Sequence, residues 1–258
     1  MRILDPSRGS LLDTLLFEAT TDLNGTQAPT NIAGVYSLLA GRGALTGGPA
    51  ANFWGAVGAP AVVYDAARGR RLIEIVSNAG SRQVIHGGWG ASFGVDFAAV
   101  GDPQWALLRP MRRYTWLLPV AAPVRGGVIV NCGTGATNGL LDTLGTDPFF
   151  GWSSDPAING GRWTVRYRRT AGGGSTTADD SGVALDATWH ILGVRYTEGA
   201  RPTLEALMDG RTVAKLVGRA ALPDTIANNA YRLGLGMPPG AGTTVRCDDA
   251  VYRIETVE

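Results

Sequence analysis

Residues 189–213, WHILGVRYTEGARPTLEALMDGRTV, hold two alternating runs, a polar loop between them and an Asp-Gly pair before the next run. Alternation sends successive side chains to opposite faces, so each run reads as a strand with one buried side. Asp-Gly suits a two-residue primed turn, whose central positions take the left-handed backbone. The hairpin register is therefore pinned from both ends. The pattern recurs along the chain. Residues 61–76 read as two strands joined by DAARGR. Further strands are expected at 82–86, 114–120, 126–133, 162–169, 189–196, 202–210, 211–218, 231–237 and 244–257. GGWGASFG (87–94) holds too much glycine for a strand interior. No window beyond residue 20 carries helical periodicity, which disfavours βαβ architectures. Short strands this closely spaced predict an all-β sandwich or barrel.

Thirty-seven glycines and 14 prolines, scattered rather than repeated, supply the turns such a fold needs. Residues 1–55 differ from the rest. LLDTLLF (11–17) reads as a short helix or an apolar strand, while 24–31 and 41–52 are loop-like. They are expected to form an arm that contributes one or two strands and leans on a neighbouring subunit; the sandwich then occupies 56–258. With 23 basic and 22 acidic side chains the net charge is +1, which predicts no general affinity for nucleic acid or anionic membranes. No stretch approaches the ~20 apolar residues of a membrane span. MRILDPSRGS breaks at Asp5-Pro6, so Sec-type export is not indicated. Cys132 and Cys247 are expected as two buried thiols, with a disulfide as the alternative. Two histidines and two cysteines argue against a His/Cys zinc site.

Chemistry-bearing patterns are few. In 162–169, Trp163, Val165 and Tyr167 share one face; Arg162, Thr164, Arg166 and Arg168 share the other. The second face reads as solvated, or else as a basic stripe that meets an anionic glycan or a partner protein. Of seven tryptophans, Trp116, Trp163 and Trp189 fall in strands and are expected in the core. Trp54, Trp89, Trp105 and Trp152 fall in Gly/Pro-rich stretches, where an aromatic ring can stack on a sugar or anchor an interface. The ligand-contact candidates are thus Trp89, Trp105, Trp152, Arg166 and Arg168. Gly90-Ala91-Ser92-Phe93-Gly94 has the spacing of a nucleophile elbow, but no helix follows it. Asp179-Asp180 and Asp248-Asp249 are adjacent pairs whose members face opposite sides of a strand, unlike paired hydrolytic carboxylates. No catalytic residue and no cofactor are expected; calcium on those four aspartates is the alternative.

Trp189, His190, Tyr196, Thr203, Leu204, Asp209 and Gly210, with YRLGLG (231–236) and CDDAVYRIE (247–255), resemble the laminin-G-like, concanavalin A-like lectin/glucanase superfamily. The resemblance covers about 160–258 well and 90–160 loosely. It implies a two-sheet antiparallel jelly-roll sandwich with Trp189 in the core and sugars across the concave face or on loops at one edge. The superfamily's Glu-x-Asp-x-Glu strand has no counterpart here. Its Gln-x-His strand is only approached by Gln83–His86, where an extra residue puts the two side chains on opposite faces. The expected function is a non-enzymatic structural or interaction module, a homo-oligomer with protein partners in an assembly such as a phage virion (capsid, tail or fibre). Release by lysis would explain the missing export signal. The alternatives are a lectin-like module reading a host-surface glycan, and a polysaccharide lyase or hydrolase.

Overall fold

A computed structural model describes residues 14–20, 54–57, 61–76, 83–89, 112–121, 131–135, 148–154, 159–170, 177–197, 199–223, 231–237, 244–249 and 251–256. Among them are sixteen strands and no helix. The first eight are β1 (Thr14–Thr20), β2 (Trp54–Val57), β3 (Ala61–Asp65), β4 (Arg70–Val76), β5 (Gln83–Trp89), β6 (Arg112–Ala121), β7 (Asn131–Gly135) and β8 (Phe149–Ser153). Then come β9 (Arg162–Arg168), β10 (Thr177–Ala184), β11 (His190–Thr197), β12 (Thr203–Met208), β13 (Arg211–Val217), β14 (Tyr231–Met237), β15 (Thr244–Cys247) and β16 (Val251–Thr256).

They form two antiparallel sheets. The nine-stranded sheet runs β13-β12-β11-β6-β15-β4-β3, with β16 also on β6 and β1 on β16. The seven-stranded sheet runs β10-β9-β8-β7-β14-β5-β2. The sheets face each other: Trp152 of β8 donates its indole N–H to the Gly193 carbonyl of β11 at 3.0 Å, in a fully buried setting. Leu118, Leu192, Val194 and Ala206 fill the core from one side; Phe150, Trp163 and Val165 fill it from the other. Trp116 and Trp163 are core residues, as the alternation predicts.

The 189–213 segment forms paired strands, with Tyr196 opposite Leu204 and Leu192 opposite Met208. Asp209 and Gly210 both have positive φ, 50° and 81°, as a primed turn requires. The expected strand at 244–257 is instead two, because β6 takes both on one edge with an extra residue accommodated between them. Asp248 donates its N–H to Pro119 O at 3.0 Å within that irregularity. β5 continues through Gly87 and Gly88, glycines that sequence placed outside a strand. β2 and β14 pair with β5 on both sides there, so ladder hydrogen bonds replace side-chain preference. β7 occupies 131–135 rather than 126–133, whose first five residues lie outside the described ones. β1 settles residues 14–17 as strand and adds the N-terminal segment to the β16 edge.

The outward face of the nine-stranded sheet carries an ionic ladder. Glu205, nearly buried, takes Arg195 Nε at 2.6 Å and Lys215 Nζ at 3.1 Å from its two neighbouring strands. Burial pushes the Glu205 carboxyl up, but the hydrogen bonds from Arg195 and Lys215 outweigh it and leave it below the ordinary glutamate range. A carboxylate lowered in the fold stabilises fully above its unfolded value, and the contribution is lost as pH falls through the folded one. Urea midpoints should therefore hold from neutral pH down to about 4.5, near the ordinary glutamate value, and fall below it. Glu205→Gln should lower the neutral midpoint and flatten that acid decline; an unchanged acid decline in the variant would place the loss elsewhere.

Candidate functional site

The outward face of the seven-stranded sheet is set by pairing. Trp152 and Val165 lie opposite each other and are fully buried against the other sheet, so their neighbours Gly151 and Arg166 belong to the opposite face. Following the register from Arg166 gives Gly151, Gly133, Gly234, His86 and Gly55 in one row across β9, β8, β7, β14, β5 and β2. Four of the five positions beyond Arg166 are glycine. To one side of this row, Arg168 pairs with Phe149 and Phe149 with Gly135. To the other, Thr164 pairs with Ser153, Ser153 with Asn131 and Asn131 with Gly236. Glycine contributes no side chain, so the middle strands present backbone as a floor, walled at one end by polar and cationic residues.

Arg166 and Arg168 thus share one face, as the alternation predicts. That face is not solvated, however: each is only 8% exposed, while Thr164 and Ser153 are fully buried. The guanidinium carbon of Arg168 lies 5.8 Å from the centre of the Phe149 ring, a cation–π contact. Asn159 donates to the Thr164 hydroxyl at 3.2 Å, closing the end of β9.

Trp152 is corrected from a loop residue to a core residue of β8, with its indole N–H spent on Gly193. Trp54 opens β2 and Trp89 closes β5, so both lie on strands rather than in loops. Trp105 lies outside the described residues, as does the 90–94 elbow pattern. Trp189 is also displaced from the expected core. It precedes β11 with the parity of Ile191, which faces outward and is 45% exposed, and Arg68 lies 4.2 Å above its ring.

A second cluster forms where Asp209 meets the start of β11. Its carboxylate accepts from Ile191 N at 2.9 Å and from His190 Nδ1 at 2.8 Å. The Thr188 hydroxyl lies 3.1 Å from His190 Nε2 and also bonds Asp186. Hydroxyl, imidazole and carboxylate stand in the order of an acyl-transfer triad. Thr188 has one proton to give, and the Asp186 carboxylate is the stronger acceptor. The Thr188 side chain and backbone hold the Asp186 carboxyl below the usual range. The Thr188 proton is therefore held by Asp186, and the hydroxyl is not poised to hand it to the imidazole. This is a latch tying the Asp-Gly turn to β11, packed edge-on against Trp163. The resemblance marked His190 and Asp209; the Asp-x-Thr step at 186–188 was the overlooked signal.

Three of the four aspartates considered for calcium are held by arginines. Asp180 pairs with Arg162 at 2.7 Å; Asp248 takes Arg68 at 3.2 Å and Arg70 at 2.9 Å; Asp249 takes Arg70 at 3.3 Å. Among the described residues no group of three His, Cys, Asp or Glu side chains is arranged to hold a metal. Cys247 is a free, buried thiol, pushed up by burial and then by Asp248 and Asp249, which makes it unreactive.

No family model matches the chain, and no curated protein matches it either. Solved structures are similar to it in fold at low identity. The carbohydrate recognition domain of Emp47p is 13% identical over 80% of this chain and 90% of its own, with a TM-score of 0.49. A Bacillus licheniformis beta-glucanase is 8% identical over 80% and 93%, with a TM-score of 0.47. An endo-beta-1,4-glucuronan lyase from the fungus Trichoderma reesei is 12% identical over 80% and 92%, with a TM-score of 0.46. The sheets themselves define the architecture: the chain is a two-sheet antiparallel jelly-roll sandwich.

Proposed function

We propose that the chain is a non-enzymatic carbohydrate-binding module of a larger assembly, a phage virion being the expected setting, and that it prefers acidic glycans. The cationic end of β9, with Arg166 and Arg168 on one face, supports this reading. Arginine presents a planar fork that matches a carboxylate or sulfate with two parallel hydrogen bonds. An enclosed guanidinium acts through a lower dielectric than a surface one, so its anion contacts are stronger and less screened.

Calorimetric titration of the full chain with uronate-containing and neutral oligosaccharides tests it. Acidic oligosaccharides should bind at least about tenfold more tightly than neutral ones, a difference of about 1.4 kcal/mol. Arg166→Lys, which keeps the charge and removes the fork, should erase most of that preference while thermal melts stay cooperative. Equal affinity for neutral and acidic sugars would overturn the acidic specificity. A second reading, a structural part of the assembly without a sugar ligand, is favoured by β3, which ends the nine-stranded sheet with one edge unpaired among the described residues. Absence of binding to every sugar selects it.

A further inference from the structure

A sheet edge offers unpaired N–H and C=O groups to another chain unless something guards it. Among the described residues, five strands leave one edge unpaired: β1, β2, β3, β10 and β13. Four are short, charged or irregular. β13 presents exposed Arg211 and Lys215. β10 carries Asp179 and Asp180 and loses register between Asp180 and Ala184. β1 contains Glu18 and a register shift between Leu15 and Phe17. β2 is only four residues long. β3, AVVYD, is different. It keeps unbroken register with β4 over all five residues and contains no Lys, Arg, Pro or Gly. Tyr64 on it is 67% exposed, more than any other large apolar side chain described.

We infer that β3 is a self-association edge, and that its occupant is the β3 strand of a second copy of this chain in antiparallel pairing. The strand is self-complementary. Its five residues overlap completely only in the register centred on Val63, which sets Tyr64 beside the partner's Val62 and Asp65 beside the partner's Ala61. An aromatic ring beside a β-branched residue is a favourable cross-strand pair, and no like charges face each other. The one acidic side chain turns back into its own subunit: Asp65 accepts from Ala67 N at 2.9 Å and Arg68 N at 3.2 Å, and pairs with Arg246 at 3.5 Å. A two-fold axis through Val63 generates a closed dimer, because one patch serves both copies. The nine-stranded sheets then continue into one another across the axis.

Sedimentation velocity and cysteine cross-linking of the full chain test this independently of any sugar. The wild type should sediment as a concentration-dependent dimer. Tyr64→Lys, an exposed substitution that keeps the thermal melt cooperative, should sediment as a monomer. Under mild oxidation Val63→Cys should cross-link to a dimer, since directly opposed Cα atoms lie within disulfide reach. Ala61→Cys should not, because its partner position is Asp65. A monomeric wild type, a dimer that survives Tyr64→Lys, or cross-linking at Ala61→Cys equal to that at Val63→Cys overturns the inference.

Discussion

Trp152→Ala is expected to lower the free energy of unfolding by about 3–5 kcal/mol, the range for truncating a large buried aromatic. Such a loss takes a large part of the 5–15 kcal/mol that holds most domains folded. Two causes combine. The ring is fully buried between β8 and β11, so truncation leaves a cavity that two paired sheets cannot easily collapse. The indole N–H is also the partner of Gly193 O at 3.0 Å, and its removal leaves a carbonyl without that donor in the interior. Trp152→Phe separates these causes. It retains most of the volume and loses the hydrogen bond, so about 1–3 kcal/mol is expected from it. Urea unfolding with constant m-value supplies both numbers. Wild-type midpoints in Trp152→Ala, with sugar binding abolished, would return Trp152 to a ligand-facing role.

Trp152 also shows where the sequence stops being legible. FFGWS in β8 does not alternate, because all five of its residues are buried, and a strand covered on both faces loses the period-two signal. Gly151 and the glycines around it then read as loop. β10, TADDSGVA, fails for the opposite reason: at a sheet edge it buries little, and its composition is that of a turn. The 189–213 hairpin was readable because Leu192, Val194, Leu204, Ala206 and Met208 alternate inward along it and its Asp-Gly turn demands two positive φ values.

The candidate site was legible only in part. Alternation assigned Arg166 and Arg168 to one face correctly, but a single strand cannot report whether that face meets water or other parts of the chain. Only the fold shows both residues enclosed. The glycine row is less readable still. Its members come from β2, β8, β7 and β14, and the order β8-β7-β14-β5-β2 places them in line. No local pattern links Gly55 to Gly234. His190 and Asp209, nineteen positions apart, were marked by resemblance as fold determinants, and the latch they form agrees with that role.

Gly193→Ala should destabilise the sandwich by about 1–3 kcal/mol, the usual cost of adding volume to a filled site. Gly193→Val should cost more. The glycine is required by close approach, since it sits mid-strand between β6 and β12 rather than in a turn. A Cβ built there would stand 2.8 Å from Leu117 Cδ2, 3.1 Å from the Trp116 carbonyl oxygen and 3.2 Å from Leu207 Cβ. The Leu117 methyl can rotate away. The backbone carbonyl and the Leu207 Cβ are fixed by strand pairing, so β11 itself must move away from β6 or β12. That movement shifts the Gly193 carbonyl, the acceptor for Trp152 across the sandwich. The two substitutions should therefore be non-additive. The Gly193→Ala/Trp152→Phe double variant should lose less stability than the sum of the singles, by more than the roughly 0.5 kcal/mol scatter of independent sites. Leu117→Ala in the Gly193→Ala background should recover only the part of the loss due to the rotatable contact. Full additivity in the first cycle, with complete recovery in the second, would show that β11 absorbs the methyl without moving its carbonyl.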